Sequence, residues 1–138
     1  MKGGVIIDEK LAMRLYERFP KLYQDRNRPP SESLMCFGFM TGNGWFDLIW
    51  GLSEVLEKSS PDTVVFEAKE KFAGLRFYVN GATAAGHAAI QEAERKSFTI
   101  CEECGKPGEL RRYNDWLYTR CDPCFAKLVE EWERRFGR

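Results

Sequence analysis

Leu11, Leu15 and Phe19 recur at four-residue spacing between Asp8 and Pro20. This predicts a first amphipathic helix capped by Asp8 and stopped at the proline. Polar residues then dominate from Lys21 to Ser33, and Asn27-Arg28-Pro29-Pro30-Ser31 has the composition of an exposed, mobile loop. Leu34 to Met40 is a short apolar run ahead of the turn-forming Thr41-Gly42-Asn43-Gly44 and is read as a strand or extended segment. Trp45, Leu48, Ile49, Leu52, Val55 and Leu56 fall on one helical face, which predicts a second helix from Trp45 to Lys58.

The period then changes from helical to alternating. Thr63 to Lys69 and Leu75 to Val79 are β-rich and flank the bend Lys71-Phe72-Ala73-Gly74, so they predict an antiparallel hairpin. In its second strand Leu75, Phe77 and Val79 share one face, expected to be core, while Arg76 and Tyr78 share the other. Asn80-Gly81 ends the strand, and Thr83 caps an alanine-rich helix predicted to reach Lys96. Strands are expected at Leu110–Tyr113 and Trp116–Arg120 around an Asn114-Asp115 turn. A last helix, with Asp122 as N-cap and Pro123 in its first turn, carries an apolar stripe of Phe125, Leu128, Val129, Trp132 and Phe136. The predicted class is α+β: a short antiparallel sheet packed with helices in residues 1–97, followed by a zinc-binding segment in residues 98–138.

Composition supports a folded chain: 43% of the 138 residues are apolar and 14% aromatic. Charge changes the picture by what it removes. Lysine and arginine number 21, as do aspartate and glutamate, so no global field favours nucleic acid or an anionic membrane. With no leader-like start and no apolar run of membrane-spanning length, the expected location is cytoplasmic.

The strongest chemical signal is Cys101-Glu102-Glu103-Cys104 followed, after sixteen residues, by Cys121-Asp122-Pro123-Cys124. A C-x-x-C turn lets two thiolates converge on one ion, and sixteen residues suit a hairpin that returns the second pair to the first. Cys101, Cys104, Cys121 and Cys124 are therefore expected to hold a structural Zn²⁺ in tetrahedral geometry. Two disulfides are the alternative, disfavoured without a secretory signal. Gly105 suits the tight knuckle, and the order knuckle, hairpin, helix is that of a treble clef. Cys36 is left over and reads as a small buried hydrophobe.

The run Val65 to Tyr78 contains Lys69-Glu70-Lys71-Phe72-Ala73-Gly74-Leu75-Arg76-Phe77-Tyr78. It resembles the KEKFGGLRFY signature of small, uncharacterised bacteriophage and prophage proteins, with Ala73 in place of the first glycine. Gly42-Asn43-Gly44-Trp45-Phe46-Asp47-Leu48-Ile49 and the Cys101–Cys124 segment extend the resemblance over roughly Phe37 to Phe125. The last ligand position can be histidine in that family, where this chain has Cys124. The resemblance implies a phage or prophage setting and no particular reaction. It motivates a host-directed accessory role, such as inhibition of a CRISPR nuclease or another host defence system.

Three function classes compete. A closed four-cysteine site argues for structural rather than catalytic metal. No nucleophile elbow or P-loop is present, and the single histidine, His87, lies on an alanine-rich helix, so an enzyme is not expected. Nucleic-acid binding is the second class: Arg111, Arg112 and Arg120 with Tyr113, Trp116 and Tyr118 could form a local patch. Yet basic and acidic residues balance from Phe98 to Arg138, and four thiolates around a dication carry a net negative charge. The first class is binding to a host or phage protein, as monomer or homodimer. Its candidate contact residues are Lys69, Lys71, Arg76, Tyr78, Arg111, Arg112 and Trp116, although the hairpin members among them would equally suit a merely solvated face.

Overall fold

The computed structural model describes residues 5–137. Four helices are present: α1 (Glu9–Arg18), α2 (Phe46–Ser59), α3 (Ala84–Ser97) and α4 (Asp122–Phe136). The strands are β1 (Phe39–Met40), β2 (Val64–Lys71), β3 (Gly74–Asn80), β4 (Glu109–Tyr113) and β5 (Trp116–Arg120). The class is α+β, as the hydrophobic periods predict.

β2 and β3 form the expected antiparallel hairpin, and β4 and β5 form a separate one. The first sheet is not wholly antiparallel, however. β1 joins it in parallel beside β2, with Phe39 opposite Ala68 and Met40 opposite Lys69. The physical reason is the connection: α2 carries the chain back across the sheet between β1 and β2, and such a crossover delivers a parallel neighbour. Only the last two residues of the Leu34–Met40 run are extended; Leu34–Phe37 forms a 3₁₀ turn whose Met35 N–H donates to Ser33 Oγ.

Phe66 is an extra residue in β2. The register passes from Val65 opposite Val79 to Glu67 opposite Tyr78. This bulge lets Val65 and Ala68, three apart, both face the core, while Glu67 and Lys69 share the other face with Tyr78 and Arg76. The core side of β3 is as predicted, with Leu75 and Phe77 buried and Val79 packed against them.

β3 lies at the sheet's edge, and α3 satisfies two of its outward amides. Leu75 N–H donates to Ser97 Oγ at 2.9 Å and Phe77 N–H to the Glu94 carboxylate at 2.9 Å. At the opposite edge Ile7 N–H donates to the Phe39 carbonyl at 3.0 Å.

The core lies between α1, α2, α3 and this sheet, around Leu15, Phe19, Met35, Phe39, Trp45, Ile49, Leu56, Val65 and Leu75. Full burial of each such side chain contributes on the order of 1.5–3 kcal/mol. The polar Lys21–Ser33 stretch is less detached than its composition implies. Leu22 and Tyr23 are buried, the Leu22 carbonyl accepts from Val65 N–H, and the Tyr23 hydroxyl shares a 2.7 Å hydrogen bond with Ser53. Arg28 to Glu32 do remain at the surface. α3 starts as predicted, with Thr83 Oγ1 accepting from Gly86 N–H at 3.1 Å.

Both hairpin turns use positive φ at two consecutive non-glycine residues. In the β4–β5 turn these are Asn114 and Asp115, residue types that tolerate the left-handed region. In the β2–β3 turn they are Phe72 at +54° and Ala73 at +74°. A phenylalanine there is strained, and the neighbours hold it: Ala73 N–H donates to the Glu70 carboxylate at 2.8 Å, and the Ala73 carbonyl accepts from Thr119 Oγ1 at 2.7 Å. Phe72 itself is 65% exposed.

Candidate metal centre and its surroundings

The two C-x-x-C pairs meet where the β4–β5 hairpin closes. The Cys101 carbonyl accepts from Gly105 N–H at 2.9 Å, and Cys101 N–H donates to the Lys106 carbonyl at 2.7 Å, which curls the first pair into a knuckle. Gly105 completes this turn at φ +84°, a conformation that disfavours any residue with a Cβ. The second pair sits at the start of α4. Cys121, rather than the expected Asp122, is the N-cap residue, and Asp122 and Pro123 occupy the first helical positions. The shift arises because the Asp122 carboxylate is held by Arg111 instead of folding back on the helix amides. Cys124 lies in the first helical turn, as predicted.

The four ligand atoms all lie within 4.8 Å of one another, with the Cys104 and Cys121 sulfurs 3.6 Å apart. A tetrahedral ZnS₄ site with bonds near 2.3 Å separates its sulfurs by about 3.8 Å. All four cysteines are free thiols, so the two-disulfide arrangement is not adopted. Cys101 and Cys121 are buried, Cys124 is half-buried and Cys104 is open to solvent.

The electrostatics of the cluster favour a cation. Burial pushes the Cys101 thiol up, but amide donors from Cys121, Cys104 and Glu103 outweigh it and bring the thiol down to about 7. Cys124 is pushed up, first by burial and then by the three thiols beside it. At Cys104 the Lys106 amide pulls down, and burial with the Cys121 and Cys101 thiols more than offsets it, so this thiol is also raised. Four thiols packed this closely cannot all ionise without a positive charge among them, and a divalent ion supplies it. Thiolate number, geometry and the knuckle amides all fit a soft or borderline metal ion.

The knuckle is also fastened to the core, through a residue that sequence reasoning passed over. Glu102 is fully buried. Its carboxylate accepts from Gly42 N–H at 2.9 Å and from Arg120 Nη1 at 3.2 Å. Its carbonyl accepts from Gly44 N–H at 2.7 Å, and its own N–H donates to the Thr119 carbonyl at 3.0 Å. Trp45 Nε1 donates to the Ile100 carbonyl at 2.9 Å. A Cβ on Gly44 would stand 2.1 Å from the Cys101 carbonyl oxygen, so glycine is what allows the two backbones this approach. The Gly42-Asn43-Gly44-Trp45 segment thus turns into α2 and seats the knuckle at once. The signal in the sequence was an acidic residue beside a ligand together with a distant GNG turn, and neither announces the other.

Of the candidate contact residues, Lys69, Arg76 and Tyr78 share the outer face of β2–β3. Lys69 Nζ lies 3.7 Å from Glu67, Tyr78 is exposed, and Arg76 is half-buried with no hydrogen-bond partner for its Nε among the described residues. Lys71 lies at the turn, its Nζ 5.6 Å from the Phe72 ring centre. Arg111 and Trp116 belong to the other hairpin. Arg111 is engaged by Asp122 and lies 5.1 Å over the Phe125 ring, Arg112 is exposed, and Trp116 is 40% exposed. Arg120, expected in a surface basic patch, is buried against Glu102. His87 is exposed on α3, and the Cys36 thiol is half-buried and donates to the Ser33 carbonyl at 3.6 Å.

α4 rests on the β4–β5 hairpin through aromatics: Tyr113 meets Phe125 and Trp132 edge-on, with centres 6.2 and 5.8 Å apart. None of its residues is buried. Among the described residues no helix is long and apolar enough to cross a membrane. No family model matches the chain, and neither a curated protein nor a solved structure matches it significantly.

Proposed function

We propose that this chain is a non-enzymatic binding protein in which a structural Zn²⁺ on Cys101, Cys104, Cys121 and Cys124 positions α4 for contact with a protein partner. The observation that carries this reading is the state of α4. It carries an apolar stripe, yet Trp132 and Phe136 stand exposed, next to a hairpin that also exposes Trp116. Exposed aromatics grouped on one surface are the composition of an interface centre. The ion's role is to hold that base: it ties the N-terminus of α4 to a knuckle that Glu102 fixes on the core.

The resemblance of the Lys69–Tyr78 run to phage and prophage proteins supports a bacterial-host setting, and from it a host-directed role such as inhibition of a CRISPR nuclease. Free thiols suit the reducing cytoplasm of such a host. The nucleic-acid alternative has less support, because Arg111 and Arg120 are committed to carboxylates and Arg112 is left as the exposed cation of the expected patch.

The test is affinity capture from bacterial lysate with the natural chain and with a W132E/F136E double variant, both checked for one bound zinc. Retention of a protein by the natural chain and its loss in the variant is the expected result. Capture that survives the double variant, or salt-sensitive recovery of nucleic acid that depends on Arg112, would replace this reading.

A further inference from the structure

A groove of about 530 Å³ opens between α1 and the 3₁₀ turns that follow it, on residues with no part in the metal centre or α4. Its floor is the buried apolar set Ile7, Ala12, Met35 and Phe39, and its lips are the exposed Ile6 and Phe37. The volume lies within the range of small-ligand sites, and the lining has their usual composition, apolar with a few convergent polar groups.

Among the described residues, two of those polar groups have no nitrogen or oxygen partner for their side chains. Arg26 is half-buried, with its guanidinium 4.5 Å over the Tyr16 ring and Nη1 3.7 Å from the Met13 sulfur. No carboxylate among the described residues pairs with it, although its neighbour Arg28 holds both Asp25 and Glu32. The Tyr16 ring is stacked on Phe39 with centres 5.6 Å apart, and its hydroxyl makes no hydrogen bond among the described residues. Burial raises the Tyr16 phenol and the Arg26 charge opposes this only in part, so the hydroxyl stays protonated and able to donate. A thioether and a ring face compensate a partly desolvated guanidinium only incompletely; an anion would complete it. Glu9, exposed on the same rim, disfavours a second negative charge on whatever binds.

We infer that this groove is a binding site for a small apolar monocarboxylate, its hydrocarbon lying along Met13, Met35 and Phe39 and its carboxylate accepting from the Arg26 guanidinium and the Tyr16 hydroxyl. The site discriminates by charge as well as by shape. An alcohol of the same chain length would fill the apolar floor and leave Arg26 as it is, and an alkylammonium would be repelled by it.

The experiment uses the zinc-loaded full chain titrated with octanoate, octan-1-ol and octylammonium, followed by calorimetry and by amide chemical shifts. Octanoate is expected to bind at least tenfold more tightly than octanol, with the largest shifts at Cys36, Gly38 and Phe39. R26Q is expected to lower octanoate affinity at least tenfold and leave octanol unchanged, Y16F to lower it severalfold, and R28Q to have no effect. Equal affinity for octanoate and octanol, octanoate binding that R26Q leaves intact, or shifts confined to other surfaces would each overturn the assignment.

Discussion

Residues 5–97 and residues 98–137 are held together by different means. The first segment buries a continuous set of large apolar side chains, from Ile7 and Leu15 to Phe77 and Ile90. The second buries few. Cys101 and Cys121 are two of its buried apolar residues, and its one long helix buries no residue fully. About forty residues cannot usually hold a fold on so small a core. The lesson is that the C-terminal segment must borrow its order from elsewhere: from the already folded surface that Glu102 and Trp45 join to it, and from any metal ion that the four clustered cysteines hold.

Chelation breaks this comparison most sharply. Structural zinc contributes roughly 10–16 kcal/mol of apparent free energy in small metal domains. With a strong chelator, or in C101S, hydrogen exchange read by mass spectrometry should show amides from Ile100 to Phe136 losing protection while α1, α2 and β2–β3 retain theirs. Equal loss across both segments would show one cooperative unit instead.

Glu102 is the next lever. E102A leaves the buried Arg120 with only the more distant Glu103 carboxylate, at 3.9 Å, and Gly42 N–H without its acceptor, at an expected cost of about 3 kcal/mol. Denaturant unfolding measures the cost. Limited proteolysis should then cut near residues 98–108 before the core, even with zinc bound.

L56A tests the other side. A fully buried leucine in α2 should cost about 2–5 kcal/mol in global unfolding and leave zinc stoichiometry unchanged. The smallest effect is expected at the β2–β3 turn, where F72N relieves a left-handed phenylalanine that is largely exposed. A gain of about 1 kcal/mol in thermal or chemical unfolding should follow. A loss would mean that the Phe72 ring contributes packing its exposure does not reveal.

Much of the first segment was legible because its signals are local. α2 and α3 begin and end within a residue or so of where Trp45, Ser59 and Thr83 predict, and the face pattern of β3 follows from strict alternation at Leu75, Phe77 and Val79, whereas the bulge at Phe66 breaks the alternation in β2. β1 was not legible, since two residues carry no period and their partner lies across α2. Tyr23 was hidden inside a polar stretch because its hydroxyl is satisfied by Ser53, thirty residues away. That Cys101, Cys104, Cys121 and Cys124 come together was legible from spacing alone. Glu102 and Arg120 were not: each charge alone predicts the surface, and only their pairing makes burial tolerable. The same pairing removes Arg120 from the basic patch that the sequence offered.

The closed edges of the β1–β2–β3 sheet carry one more consequence. Ser97 and Glu94 occupy the outward amides of β3, and Ile7 occupies the Phe39 carbonyl at the other side. No strand of a visiting chain can extend this sheet without first displacing α3 or the Ile7 segment. Strand addition to this sheet is thereby disfavoured, so any chain that met this face would have to read side-chain chemistry rather than main-chain hydrogen bonds.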